Sequence, residues 1–576
     1  MRRFIPWGTR GPVEARARFA DPLVFACGLA LFYGVIALAQ RWLAPFVPGP
    51  EISLDPRMLP LYAGYSLLRM ALAYVLSLGF ALVYGYLAAT RPRLERFMIP
   101  ALDVLQSIPV LSFLPGVVLA MVALFPHREI GVELGSIVLI FTGQVWNLAF
   151  GFYSSVKSLP RDLEEAAYVC RFGRWQRFSR LVLPHAAISL VWNSMMSVAG
   201  GWFFLMACEM FVLGSRDFRL PGLGSYLQTA ASAGDMQHIL WGLLVLVAVI
   251  VLLDVLIWRP LITWADRFKV EQVQALTPPH SPVLELLRRS SAVAWFKRRV
   301  TGPIDARLLV VFPAPLVPPA SVPPPPRGRR VLNRVVGAAF LALVGYGIFR
   351  AGVLLTHLSR ADLLEIAAGT GATFVRVLIA LVLGLAWTVP VGVHIGLSPR
   401  LARLAQPLAQ VAASIPATAL FPIVVIALAR LGGGMDLAAV LLMLLGTQWY
   451  ILFNVIAGAM TVPEDMKETV RVFRMRRVDR WRYLFLPAIF PHLVTGLVTA
   501  GGGAWNASIV AEYFHFGGQT LSTLGLGSTI SHATDAGNFG LLLGATVAMA
   551  ATVVTFNRLV WRRLYRLAEE RFTLEG

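Results

Sequence analysis

Residues 160–184, PRDLEEAAYVCRFGRWQRFSRLVLP, are polar and basic yet lie between two strongly apolar stretches, and they recur in degenerate form at 463–487 as PEDMKETVRVFRMRRVDRWRYLFLP. Both flanking prolines, Glu165 and Glu468, Arg171 and Arg474, Arg177 and Arg480, and the closing Leu183-Pro184 and Leu486-Pro487 are displaced by one shift (463 − 160 = 303). The pattern predicts a helical hairpin presented twice to the same aqueous compartment.

The chain around these segments has 576 residues, of which 57% are hydrophobic and 14% charged, with mean hydropathy +0.68. Soluble domains carry roughly a quarter of their residues charged, so the composition is that of an all-α polytopic membrane protein. The net charge of +20 is read as basic cytoplasmic loops facing anionic lipid headgroups, with no nucleic acid implied. Cys27, Cys170 and Cys208 show no metal-ligand spacing and no disulfide framework. Arg2, Arg3, Arg10, Arg16 and Arg18 precede an apolar run without a small-residue cleavage pattern, which predicts a retained cytoplasmic tail over 1–21.

Stretches long enough to cross a hydrocarbon core of ~30 Å lie near 22–43, 65–89, 101–125, 133–156, 186–213 and 237–262, and again near 331–357, 371–397, 408–430, 435–460, 489–514 and 537–562. About twelve spans are expected. Basic residues at 91–96, 157–180, 400–403 and 467–482 place those loops and both termini in the cytoplasm. The domains read as the tail 1–21, a first repeat 22–262, a basic, proline-rich cytoplasmic linker 263–330 and a second repeat 331–576. The linker composition favours an extended, partly stiff tether; within it, 283–300 is either a basic amphipathic helix on the membrane surface or solvated chain.

The repeat extends well beyond the hairpins. Arg69 pairs with Arg376, and Ser107-Ile-Pro109 with Ser414-Ile-Pro416, at a shift of 307 (416 − 109 = 307). Trp202 pairs with Trp505, Glu209 with Glu512, and Gly-Leu-Gly 222–224 with 525–527, at 303. The two six-helix repeats therefore run in the same orientation about a pseudo-two-fold axis along the membrane normal, which puts a pathway between them. Pathway candidates are Ser107, Pro109, Trp202, Glu209, Ser414, Pro416, Trp505 and Glu512. Each has a plainer alternative. The glutamates at the outer span ends either meet solute or bond to loop amides. The tryptophans, with glycines at 200–201 and 501–503, either line the passage or pack the seam between halves; Asp254 is equally open. The prolines open the helical ladder near mid-span, giving a polar cup or a kink.

Glu165-Ala166-Ala167 with its Leu183-Pro184 ending resembles the Glu-Ala-Ala loop of the membrane subunits of ATP-binding-cassette (ABC) importers. Trp-Gln-Arg-Phe at 175–178 and the Ser-Ile-Pro turns are most similar to permeases of the nitrate, taurine, sulfonate and bicarbonate group, over roughly 65–262 and 371–562. The resemblance implies the type I ABC importer permease fold and a coupling helix that docks into a groove of a cytoplasmic ATPase subunit. It assigns that contact to Glu164, Glu165, Ala166, Ala167, Arg171, Gly173 and Pro184 in the first loop, and to Glu468, Thr469, Arg474 and Pro487 in the second. It further implies two ATPase partners carrying ATP and Mg, no cofactor on this chain, a solute-binding protein on the outer face, and residence in a bacterial inner membrane. The chain departs from the pattern where Arg171 and Arg474 replace a glycine, and where Ala166 and Ala167 become Thr469 and Val470. From the residues alone, Leu163, Ala166, Ala167 and Val169 form a small-residue face for a partner, with Arg174 and Arg177 left for acidic groups; the alternative is an ordinary basic cytoplasmic loop.

No Gly-x-x-x-x-Gly-Lys-Ser/Thr phosphate loop is present, and Phe516-Gly517-Gly518-Gln519 falls on the outer side. The expected function is the membrane-spanning unit of an ATP-driven importer for a small anion. A major-facilitator-type secondary transporter would also have six plus six spans, but it leaves the matching hairpins unexplained; a membrane enzyme lacks a catalytic cluster.

Overall fold

In hydrocarbon, backbone N–H and C=O groups have only one another as partners, and the apolar stretches accordingly form long helices. A computed structural model of the chain describes residues 50–126, 128–213, 216–268, 281–311, 327–430, 434–516 and 519–571. The first half contains α1 (Leu59–Thr90), α2 (Pro92–Ser107), α3 (Leu114–Leu124), α4 (Ile130–Lys157), the hairpin helices α5 (Arg161–Val169) and α6 (Arg174–Arg177), α7 (Leu183–Glu209), the short strands β1 (Val212–Leu213) and β2 (Arg216–Asp217), α8 (Leu223–Ser232), α9 (Met236–Leu253) and α10 (Arg259–Ala265). Helices α11 (Pro282–Arg289), α12 (Ser291–Phe296) and α13 (Gly302–Val311) follow in the linker. The second half repeats the order: α14 (Arg327–Leu355), α15 (Arg360–Gly396), α16 (Pro399–Ser414), α17 (Ala417–Arg430), α18 (Met435–Met460), α19 (Glu464–Val472), α20 (Arg477–Arg480), α21 (Leu486–Ala511), β3 (Tyr513–Phe516) paired antiparallel with β4 (Gln519–Ser522), α22 (Leu526–Asp535), α23 (Phe539–Phe556) and α24 (Arg562–Arg571).

Among the described residues, eight helices are long and apolar enough to cross a membrane, or nine if the pair 400–414 and 417–425, bent by 79°, forms one span. The expected span at 22–43 and the tail 1–21 lie outside the described residues. The expected third span of each half is not one helix. In the first half α2 ends at Ser107 and a new helix begins after Pro109; in the second α16 ends at Ser414 and α17 begins after Pro416. A residue before proline is held out of the α region, and Ile108 and Ile415 are both extended (ψ 124° and 116°). Pro109 and Pro416 thus terminate helices at buried positions instead of kinking a continuous span. The linker also differs from expectation, since residues 282–311 are largely helical, and the amphipathic stretch 283–300 is divided at Ser290. Residues 312–326, with most of the prolines, lie outside the described residues.

Helix α4 packs between α1 and α7, and α18 between α15 and α21. Small residues set the closest approaches: a Cβ added at Gly396 of α15 would lie 2.6 Å from Ala459 Cβ and 2.7 Å from the Ile456 carbonyl of α18. The hairpin-side ends contain four π-helical turns at repeat-equivalent places, Phe178–Val182 with Trp481–Phe485 and Asp254–Trp258 with Asn557–Trp561. In each, an amide donates to a carbonyl five residues earlier, as Leu183 does to Phe178. At the same level Lys157 Nζ and Tyr153 Oη hydrogen-bond Glu95 (2.8 and 2.5 Å) and hold its carboxyl below the usual carboxylate range.

The halves meet about the axis that the repeat implies. Helix α8 packs on β3 of the other half and α22 on β1, the reciprocal contacts of a two-fold arrangement. Leu111 N–H donates to Asn506 Oδ1 (3.4 Å), Thr546 Oγ1 to the Ser112 carbonyl (3.3 Å), and a Cβ at Gly200 would meet Tyr450 Oη at 3.1 Å. Gly396→Ala is expected to destabilise the chain by about 1–3 kcal/mol, read as a lower thermal midpoint of the detergent-solubilised protein. Gly79→Ala, where a Cβ meets nothing within 4 Å, leaves that midpoint in place.

Candidate functional site

Three parts of the fold carry chemistry: an ion network at the end of each half away from the hairpins, a cavity at the seam, and the two hairpins themselves.

In the first network Arg69 of α1 reaches Glu133 of α4 through Nε and Nη2 (2.6 and 2.7 Å). Its Nη1 donates to Glu209, the last residue of α7, at 2.7 Å and to the Pro221 carbonyl at 2.9 Å. Ser66 Oγ and the Gly224 amide complete the Glu209 carboxylate, both at 2.7 Å. All three charged side chains are fully buried. The second network repeats it with Arg376, Asp436, Glu512, Thr373, the Leu524 carbonyl and the Gly527 amide. Here Thr523 joins, and the Asp436 side chain is 73% exposed. The Gly-Leu-Gly repeat has its reason in these contacts. A Cβ at Gly222 would stand 2.3 Å from the Glu209 carboxylate, and one at Gly525 2.1 Å from Glu512 Oε2. Glu209 and Glu512, expected as pathway candidates, are instead consumed by these networks, and neither lines the cavity.

The cavity, about 1070 Å³, lies between the halves. Its walls come from equivalent helices, α4 with α18 and α7 with α21, and equivalent positions face it: Asn147 and Tyr450, Phe150 and Phe453, Gly151 and Asn454, Trp192 and Thr495. Trp505 lines it, as do Gln106 and Val110 on either side of the Ser107–Pro109 break and Gln410 near Ser414. Pro109, Ser414 and Pro416 are not among its described lining residues. Trp202 is buried and borders a small pocket shared with Asp254, Gln410 and Ser414. The lining is rich in neutral hydrogen-bonding groups and indoles (Asn193, Asn506, Thr499, Trp146, Trp561), and among the described lining residues Arg562 is the one charged side chain. The Trp146 indole N–H has no hydrogen-bond partner among the described residues. Sequence reasoning missed Arg562, although subtraction finds it: 562 − 303 = 259, and Arg259 Nε bonds Asp254 (2.9 Å), whose counterpart is Asn557.

The hairpins keep the predicted form. Helix α5 starts after Pro160 and closes in a Schellman turn, with Phe172 N–H donating to the Ala167 carbonyl (2.9 Å) and Arg171 left-handed at φ 53°. Arg474 does the same at φ 45°. The arginines therefore occupy the glycine conformation without the glycine, at a cost of roughly 1 kcal/mol each. Gly173 is buried and caps α6, and Pro184 and Pro487 begin the long helices behind the hairpins. Ala167 is also buried, so the expected four-residue face is presented by Leu163, Ala166 and Val169 without it. Arg177, expected to remain for a partner, is taken by Glu164 of the same hairpin; the second copy has Lys467 at that position, and Arg480 donates to the Met475 carbonyl. Glu165, Glu468 and Thr469 are exposed, beside uncovered apolar groups: Tyr168 and Val169 (64% and 79% exposed) and Val472 and Phe473 (78% and 75%).

Arg69→Ala leaves two buried carboxylates without their cation and is expected to cost about 3–5 kcal/mol. Arg376→Ala costs less because water reaches Asp436; equal losses in chemical unfolding would contradict this reading. Arg171→Gly is expected to slow hydrogen exchange of the α5 turn amides about fivefold, by relieving the left-handed strain.

Residues 81–259 and 380–573 both match the family model described as "Binding-protein-dependent transport system inner membrane component". The nitrate import permease protein of Leptolyngbya laminosa is 29% identical over 196 residues, 34% of this chain and 65% of the relative. The taurine transport system permease protein of Escherichia coli is 25% identical over 239 residues, 42% of this chain and 74% of the relative. A bicarbonate transport system permease protein of Synechococcus elongatus is 32% identical over 124 residues, 22% of this chain and 43% of the relative. This chain thus spans a little under two thirds of the length of the nitrate permease, while being about twice as long itself. The family model covers most of both halves, and the chain belongs to the binding-protein-dependent transport system inner membrane components, with the family's domain present twice.

Proposed function

We propose that this chain is the membrane-spanning permease of an ATP-driven ABC importer, both halves in one polypeptide, carrying a small anion through the cavity at the seam. The observation that carries the reading is the cavity itself: it lies on the pseudo-two-fold axis, its walls are repeat-equivalent helices, and its one charged lining residue among those described is Arg562. The first copy offsets its arginine with Asp254, and the second offers Asn557 in that place. An arginine in the wall supplies a cationic group that an anion can meet. Amide and indole donors add orientation without the strong desolvation penalty of a second charge. Relatives named for nitrate, taurine and bicarbonate support the same class of solute. They favour this reading over the major-facilitator alternative.

In this reading two separate ATPase subunits or domains, carrying ATP and Mg, dock on the hairpins at 160–184 and 463–487. Their closure rocks one half against the other. A solute-binding protein docks on the outer face over 214–236 and 515–536. The chain itself holds no ATPase site, resides in a bacterial inner membrane with both termini cytoplasmic, and is divided into repeats 22–262 and 331–576 by the linker 263–330.

The test is uptake of labelled nitrate, taurine or bicarbonate into proteoliposomes holding the chain with its ATPase and binding protein. Arg562→Glu is expected to lower anion uptake at least tenfold while ATP hydrolysis by the complex persists. Wild-type uptake in that variant removes the anion assignment, and uptake driven by a proton gradient without ATP removes the importer reading. Glu165→Arg combined with Glu468→Arg is expected to weaken co-purification of the ATPase while membrane insertion is retained.

A further inference from the structure

The linker is attached to one of the two hairpins and not in an equivalent way to the other. Helix α11 packs on α10, and both Ser281 and Ser290 are buried, each accepting a hydrogen bond from the first turn of the helix that follows it (Leu284 N–H at 3.3 Å and Val293 N–H at 3.4 Å). Helix α13 then packs on α6, where the Trp175 indole N–H donates to Asp305 Oδ1 at 2.6 Å. Asp305, Leu308 and Leu309 are half-buried on one side of α13, while Ile304, Arg307 and Val311 are exposed on the other. At the repeat-equivalent position of Trp175 (175 + 303 = 478) the second hairpin has Val478, 75% exposed.

We propose that the ATPase-docking surface of the first half is composite, made of the hairpin 160–184 together with linker helix α13, whereas that of the second half is, among the described residues, its hairpin without such a helix. The docking itself rests on the function proposed above. Trp175 and Asp305 are positioning residues: a hydrogen bond to a charged acceptor is among the stronger ones available to a partly exposed pair, and it sets the attitude of α6 against α13. The composite surface adds Ile304, Val311 and Arg307 to the apolar tip of the first hairpin. That combination fits a partner groove with an apolar floor and an acidic edge. The two ATPase sites of the transporter are then inequivalent.

Two measurements test this. In the full-length chain in detergent, Trp175→Phe and Asp305→Asn are each expected to speed hydrogen exchange of amides 170–182 about tenfold, with amides 464–482 unchanged; wild-type rates in both variants overturn the brace. In cells making the whole transporter, a photo-crosslinking amino acid is placed in turn at Val169, Ile304 and Val472, and adducts are identified by mass spectrometry. Adducts with an ABC ATPase at all three positions support the composite surface. Adducts at Val169 and Val472 with none at Ile304 overturn it while leaving the docking intact. Absence of adducts at all three overturns the docking reading and this inference with it.

Discussion

One arginine per half joins three membrane helices at the ends away from the hairpins. Arg69 and Arg376 each bring together helices whose residues are separated by 60 or more positions in sequence, Arg69 through fully buried carboxylates and Arg376 through buried Glu512 and water-exposed Asp436. A buried ion network of this kind adds little net stability over an apolar core, but breaking it by removing one member is costly. It therefore acts mainly as a constraint, fixing the relative positions of α1, α4 and α7, and of α15, α18 and α21. The contacts between halves are of another kind: a backbone amide on Asn506, a threonine hydroxyl on a carbonyl, a glycine against a tyrosine hydroxyl. Stiffness is concentrated within each half and the weaker polar contacts lie between them, which is where the cavity is found.

Joining both copies in one chain frees them from being identical, and the structure shows where they have drifted. Glu133 is answered by Asp436, Asp254 by Asn557, Glu164 by Lys467 and Trp175 by Val478. The exchanges fall in the ion network, at the cavity wall, in the hairpin closure and at the linker contact. The helices that carry them keep the same order and packing. A symmetric dimer would impose every such change on both sides at once.

Much of this was legible in the sequence because the repeat allows subtraction. Arg69 with Arg376, Glu209 with Glu512, and the two Gly-Leu-Gly runs all emerged as matched pairs. That they converge on one network did not, since the third acid is a glutamate in one copy and an aspartate in the other, and each stands at the start of an apolar helix like any interfacial charge. The hairpins were legible down to their flanking prolines. The left-handed arginines were not, because a backbone conformation usually signalled by glycine is imposed here by the Schellman hydrogen bonds around it. The linker misled through its prolines, which cluster after Val311, whereas the capping serines and apolar residues before them specify short helices. Arg562 was not legible because a basic residue at the end of an apolar helix is what the topology rule already leads one to expect.

The π-helical turns between the hairpins and the long helices behind them have a further consequence. Such a turn holds one residue more than an α-helical turn, and each residue of an α-helix advances the side chains by about 100° around the axis. The turns at Phe178–Val182 and Trp481–Phe485 therefore work as phase inserts: they decide by residue count which way a hairpin faces relative to the cavity wall on the same helix. Loss of a single residue in either turn would leave composition, hydropathy and charge almost untouched. It would nevertheless swing one hairpin tip about a quarter of a revolution out of step with its twin.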